Sequence, residues 1–299
     1  MDTKQIEYML KIAEENNITH AAEKLFITQP ALNQQLLRLE KELGTQLFHR
    51  SRTDWRPTEA GEVYLENARR MLQIKQETYR RIGDMVSDKK GKLSVGFTPG
   101  RGIAMFSAVY PRFHREYPEI IVTPQELSVR KQQALIARGE LDIGFMTLCD
   151  KHRTSDSYID IAKEEIFLAI PSRHPLSSRA QTDGFTELDI TAVQYEPFVL
   201  MYQESTIRAL VDDIFEQAGF RPEVLFETSN TGTILTMIRS NLCCGLIPYY
   251  YIQDRPKEIT CFSLPSRPSW DIVASYRKGS YLTHAASYFI DLAKGHWSL

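Results

Sequence analysis

Gln29, Asn33, Gln34, Leu37 and Arg38 fall at offsets that gather them on one side of a helix, away from an apolar stripe of Ala31, Leu32, Leu36 and Leu39. Amide side chains can bond the N6 and N7 edge of adenine, and an arginine can take guanine or a phosphate. Thr28 is placed to cap this helix, and Pro30 falls in its first turn, where a missing N–H costs nothing. The helix N-terminus itself attracts a phosphate. Just beyond, the stretch from Leu47 to Arg56 carries Arg50, Arg52 and Arg56 against the acid Asp54, with Phe48 and Trp55 as aromatic anchors. That composition suits a β-wing on a duplex backbone, where each neutralised phosphate releases counterions.

These side chains need a frame. Ile6, Met9, Leu10 and Ala13 recur at helical spacing. A second short helix is expected over Ala21 to Leu25 with Thr19 as its cap, and the helix after Thr28 should run to about Leu43 and stop at Gly44. Two helices joined by a turn of about three residues form a helix-turn-helix unit. Pro57 makes the second wing strand short. Residues 1–58 are thus expected to be a DNA-binding domain. Residues 59–88 read as one long helix in which Leu65, Ala68, Leu72, Lys75, Tyr79, Ile82 and Val86 alternate three and four apart, a coiled-coil seam. Such a helix survives poorly alone, which predicts dimerisation with a second copy.

Residues 91–299 change character. Strands are expected around Leu93, Val95 and Phe97, over Ile120 to Gln125, and around Leu141, Ile143 and Phe145, with helices from about Ile103 to Glu116 and Val129 to Arg138. This βαβαβ order implies a parallel sheet with right-handed crossovers. A second such unit begins near Ile166, giving lobe I over about 91–163 plus 268–299 and lobe II over about 164–267. Two α/β lobes bind ligands in the crevice at the strand C-termini.

Composition narrows the classes. With 36 basic against 38 acidic residues the net charge is −2, so no global field draws the chain to nucleic acid. Residues 1–59 hold eight basic and nine acidic residues, which suits a solvated polar face equally well; the helix spacing together with the arginine-rich wing favours DNA. The N-terminus has no apolar leader region, no uncharged run approaches the ~18 residues of a membrane helix, and the cysteines have no metal spacing. A cytoplasmic protein with reduced thiols is expected, without metal, cofactor or membrane contact. No acid/base or nucleophile set converges on the crevice, so no enzyme is expected. A pure solute-binding protein would have no use for the N-terminal 90 or so residues.

The resemblance to a known family is dense. Ile6-Glu7-Tyr8-Met9-Leu10, Ile18-Thr19-His20-Ala21-Ala22-Glu23-Lys24-Leu25, Ile27-Thr28-Gln29-Pro30-Ala31-Leu32, Leu39-Glu40-Lys41-Glu42-Leu43-Gly44, Leu47-Phe48-His49-Arg50 and Thr58-Glu59-Ala60-Gly61 resemble the winged helix-turn-helix of LysR-type transcriptional regulators. Phe113 to Pro118, Gly139-Glu140-Leu141-Asp142-Ile143-Gly144, His174-Pro175-Leu176 and Gly245-Leu246-Ile247-Pro248 extend it through the chain. Asn33 stands where the family usually has serine, and Gln34 where it usually has a basic residue.

The resemblance implies a regulator of promoter DNA with Thr28, Gln29, Pro30, Asn33, Gln34 and Arg38 facing the duplex and Arg50, Arg52 and Arg56 on the wing. It further implies a homo-oligomer, often a dimer of dimers, and a periplasmic-binding-protein-like α/β domain holding a small-molecule effector between its lobes. The positions that match the family's effector lining are Thr98, Pro99, Gly100, Arg101, Ser128, Val129, Met146 and Thr147 from lobe I. From lobe II they are Tyr202, Gln203, Ser205, Thr206, Asn230, Thr231 and Gly245. Ser128, Ser205 and Asn230 are also candidate helix caps. With Arg101 or Arg130 nearby the crevice would favour a small carboxylate or other anion, against which Glu204 argues mildly.

Overall fold

The computed structural model describes residues 2–51, 55–86, 89–181, 184–254 and 256–297. The chain divides into two compact units, Met1–Val86 and Ser87–Leu299.

In the first unit α1 (Thr3–Glu15), α2 (Ile18–Lys24) and α3 (Gln29–Leu43) precede the three-residue strands β1 (Phe48–Arg50) and β2 (Trp55–Pro57) and the long α4 (Glu59–Met85). α2 starts earlier than its apolar residues indicate, because Asn17 rather than Thr19 is its cap and accepts from the amides of Thr19 and His20. Gly44 ends α3 in the left-handed region at φ +71°. Phe26 takes that same region at φ +56° without a glycine's freedom. The core gathers Ile6, Met9, Ile12, Leu32, Leu36, Leu39 and Phe48. Leu65 and Ala68 belong to it too, so the first two members of the expected seam on α4 serve this core rather than a partner.

The second unit begins with β3 (Gly91–Phe97), α5 (Arg101–Glu116), β4 (Ile120–Glu126), α6 (Val129–Arg138), β5 (Ile143–Leu148) and the fifteen-residue β6 (Ser157–Pro171). It continues with β7 (Pro197–Met201), α7 (Thr206–Ala218), β8 (Glu223–Thr228), α8 (Thr231–Arg239), β9 (Gly245–Pro248), β10 (Ile259–Ser263), β11 (Ser269–Tyr276) and α9 (His284–Trp297). In lobe I, β4, β3 and β5 are parallel as the βαβαβ order requires, and β11 joins antiparallel between β5 and β6. α5 and α9 share the core on one face with Phe97, Phe113, Phe145 and Phe289, and α6 supplies Ile136 to a smaller core with Leu148 and Val273.

Lobe II is less parallel than its sequence indicates. β7 and β8 are parallel, yet β9 and β10 both pair antiparallel with β6. β6 is the reason. Its residues up to Glu165 pair with β11 of lobe I, and from Ile166 onward it pairs with β9 and β10 of lobe II. The chain returns beside this crossing, where the Ile166 amide donates to the Pro268 carbonyl at 2.8 Å. Two adjacent crossings therefore join the lobes.

Candidate nucleic-acid interface and ligand cleft

α3 divides cleanly. Leu32, Leu36 and Leu39 are fully buried, while Thr28, Gln29, Pro30, Gln34 and Arg38 are exposed and Asn33 is half-buried. Ala31, expected in the apolar stripe, is exposed with the polar set. The Thr28 hydroxyl accepts from the Ala31 amide at 3.4 Å, so its first task is to cap the helix. Leu37 is exposed beside Arg38.

The wing is tied to α3 by one buried acid. Glu40 accepts from the Leu47 amide at 2.8 Å and pairs with Arg50. Arg50 also lies 6.0 Å from the Trp55 ring. Its charge is matched inside the domain, and its side chain, on β1 of the wing, stays 32 % exposed. Arg56 is exposed. Arg52 lies outside the described residues.

The cleft lies between the lobes of the second unit, with a volume of about 380 Å³. Of the expected lining, Thr98, Pro99, Gly100, Arg101, Ser128, Val129 and Thr147 reach it from lobe I, and Tyr202, Ser205, Thr206, Asn230 and Thr231 from lobe II. Three expected residues do not. Met146 is buried in the core beneath α6, Gln203 is exposed but points off the lining, and a Cβ on Gly245 would lie within 2.9 Å of Ile234 and Ile238. Glu126, Met201, Ile207, Ser229, Tyr251 and Trp270 join the lining without having been expected. Gly100 has a positive φ of 77°, and a side chain there would meet the Tyr251 hydroxyl at 3.0 Å.

Helix starts surround the cavity. Ser128 caps α6 by accepting from the Lys131 amide, and Asn230 caps α8 by accepting from the Gly232 amide at 2.7 Å. Ser205, at the start of α7, makes no such side-chain bond and keeps its hydroxyl available. The Thr206 hydroxyl instead crosses between lobes to the Thr147 carbonyl at 2.8 Å, and Lys151 of lobe I pairs with Asp213 of lobe II. Burial pushes the Tyr251 phenol above its ordinary pKa and keeps it a neutral donor.

Arg101 is not the free cation expected of it. It is 4 % exposed and pairs with the buried Glu164 at 2.6 Å. Glu164 also accepts from the Tyr250 amide at 2.8 Å and from Trp270 Nε1 at 2.6 Å. The Arg101 guanidinium lies 4.8 Å from the Tyr250 ring and 5.8 Å from the Trp270 ring. Arg130 does not reach the cavity.

Cys243 and Cys244 are buried, and burial pushes their thiols up to about 11 and about 12. Neither supplies thiolate near neutral pH. Among the described residues, no group of three or more His, Cys, Asp or Glu side chains can hold a metal ion, and no helix is long and apolar enough to cross a membrane.

A helix-turn-helix unit with a polar reading face, linked to a two-lobed α/β unit with a cleft, defines a ligand-responsive DNA-binding protein. Residues 3–62 match the model of bacterial regulatory helix-turn-helix proteins of the lysR family, and residues 87–298 match the LysR substrate binding domain. The chain belongs to the LysR family of transcriptional regulators. It is 31% identical to the HTH-type transcriptional regulator XapR of Escherichia coli (strain K12), over 84% of each chain. Its fold is that of a full-length OxyR variant from Pseudomonas aeruginosa, with a TM-score of 0.71, 21% identity and coverage of 100% of this chain and 95% of that one. It is also similar to full-length CbnR solved in complex with its target DNA, with a TM-score of 0.61, 22% identity and 99% of each chain covered.

Proposed function

We propose that the chain is a cytoplasmic regulator that sits on promoter DNA as a homo-oligomer, with α3 in the major groove and the wing on the backbone. A small molecule held in the cleft biases the oligomer between states of different DNA affinity, which requires the ligand itself to bind those states unequally. The observation that carries the reading is the division of α3: Leu32, Leu36 and Leu39 are fully buried, while Gln29, Gln34 and Arg38, side chains suited to base edges, are left to solvent. The neighbour CbnR, solved on its target DNA, has the same fold. Self-association is supported by α4, which leaves Ile74, Tyr79, Ile82 and Met85 exposed along its second half, with Val86 exposed at its C-cap. A dimer built along α4 and paired into a tetramer accounts for those residues.

The test is a gel shift on the DNA just upstream of the chain's own gene, over a salt series with competitor. A specific, salt-sensitive complex is expected. Gln29→Ala should reduce discrimination between operator and competitor by about 1–3 kcal/mol, the worth of a bidentate base contact. Arg56→Ala should weaken all sequences alike and flatten the salt slope. Unchanged binding in both variants would mean that a different face meets DNA.

A further inference from the structure

We propose, granted that the cleft is the ligand site, that it takes a small zwitterion bearing both an ammonium and a carboxylate, the α-amino acid class. The charged residues that line the cavity are Arg101, Glu126 and Glu204. Glu126 ends β4 on lobe I, and Glu204 precedes α7 on lobe II. Both are exposed, and neither takes part in an ion pair. The charge of Arg101 is already matched by Glu164. A simple carboxylate or a dianion entering this space meets two unpaired like charges, one from each wall. An ammonium group meets the reverse: a carboxylate on either side and the rings of Tyr202, Tyr251 and Trp270, whose faces attract cations.

The opposite end of the ligand is specified as well. Arg101 is 4 % exposed, and its Nη2 is spent on Glu164, yet its Nε and Nη1 have no hydrogen-bond partner. Buried N–H groups without an acceptor are uncommon and mark a place where one is wanted. Arg101 is the first residue of α5, and α7 begins at the same cavity with the Ser205 hydroxyl unused. Guanidinium edge, helix starts and hydroxyl together suit one carboxylate. Val129, Met201 and Ile207 leave an apolar remainder for a modest side chain, consistent with a volume of about 380 Å³. A neutral ligand would leave the Arg101 edge and both glutamates unanswered.

The experiment uses the full-length chain. Thermal shift and calorimetry are run against each proteinogenic L-amino acid at millimolar concentration. Every hit is compared with the same molecule lacking its amino group and with the same molecule lacking its carboxylate. At least one amino acid should raise the melting temperature and bind at one per chain, with both analogues about tenfold weaker or worse. Glu126→Gln and Glu204→Gln, substitutions at exposed positions, should weaken the amino acid and leave or improve the deaminated acid. A deaminated acid that binds as tightly as its parent overturns the proposal, and so does an absence of binding by every amino acid. Ser205→Trp fills the cleft and separates the two levels. If a plain acid binds as tightly as its parent amino acid and Ser205→Trp abolishes it, the cleft stands and the zwitterion falls. If the binding of any hit survives Ser205→Trp unchanged, the cleft is not the site.

Discussion

Replacing Glu164 by glutamine should unfold the second unit well below the temperature of the parent chain. Glu164 is 7 % exposed and accepts three hydrogen bonds: from Arg101 Nη2 at 2.6 Å, the Tyr250 amide at 2.8 Å and Trp270 Nε1 at 2.6 Å. Glutamine keeps the shape but offers one oxygen where the carboxylate offers two. In either amide orientation an NH₂ group is set against a donor. Arg101, 4 % exposed, loses its only counter-charge. Removing one partner of a buried pair costs about 3–5 kcal/mol, most of it the charge left behind. For a unit of this size that corresponds to about 6–20 °C in melting temperature. The assay is calorimetry of the full-length chain, with urea unfolding followed on tryptophan emission. The double variant Arg101→Met with Glu164→Leu is the control: removing both charges should restore most of the loss, since an apolar pair of similar volume often matches a buried ion pair. A loss below about 1 kcal/mol in Glu164→Gln would refute the reasoning, because the pair would then be solvated or dispensable.

Two further outcomes follow from local chemistry. Phe26 is 94 % exposed and held at φ +56°, so Phe26→Gly should stabilise the first unit by about 0.5–1 kcal/mol in urea unfolding, relief of left-handed strain less the added chain entropy; a loss of stability would mean that the ring makes a contact worth more than the strain. His152 has its pKa lowered by burial and by Lys151 and Arg130, so between the unfolded value near 6.5 and the lower folded one the unfolded chain binds the extra proton. Stability should therefore fall as pH drops through that window, and His152→Asn should reduce the difference in urea midpoint between pH 7.5 and 5.5; an unchanged difference would remove His152 as a cause.

What the sequence disclosed depends on the range of the interaction. α3, its cap Thr28 and its stop at Gly44 were legible because periodicity and capping act within a few residues. So were β4 and α6, to within a residue or so at each end. The start of α2 was missed because Asn17 competes with Thr19 for the cap, and both residue types cap well. The antiparallel pairing of β9 and β10 was not legible, since β6 reads as one more strand and nothing local says that it spans both lobes. In the cleft, the helix-start residues Ser128, Ser205 and Asn230 were found, whereas Ile207, Ser229, Glu126 and Trp270 were not, and Trp270 is brought there only by the closing of the sheet. Tyr251 had a signal in the triplet Tyr249-Tyr250-Tyr251, directly after Gly245–Pro248, but aromatic runs carry no site on their own. Arg101 was found by resemblance, and only its state was misjudged. Its type suggested a free cation, and its partner lies 63 residues away at the crossing of the lobes.

That crossing is where ligand binding and lobe geometry meet. Glu164 lies at the point where β6 leaves lobe I for lobe II, and it is hydrogen-bonded to α5, to β11 and to the turn after β9. Arg101 bonds it with one nitrogen and is also a lining residue of the cleft. A carboxylate that takes the remaining Arg101 N–H groups therefore touches the residue that the crossing itself holds. Away from this node the lobes are joined by the Thr206 hydroxyl on the Thr147 carbonyl and by the exposed pair Lys151–Asp213. Each of these is worth about 1 kcal/mol or less, whereas the Arg101–Glu164 pair at the crossing is buried. Glu126 and Glu204 add the second half of the argument. They carry like charge on opposite walls, and an ammonium between them turns repulsion into attraction. A ligand with both charges acts at the base of the cleft and at its walls together, and a ligand with one charge acts at only one of them. Differential affinity for two lobe angles, the thermodynamic requirement for regulation, is then largest for the zwitterion.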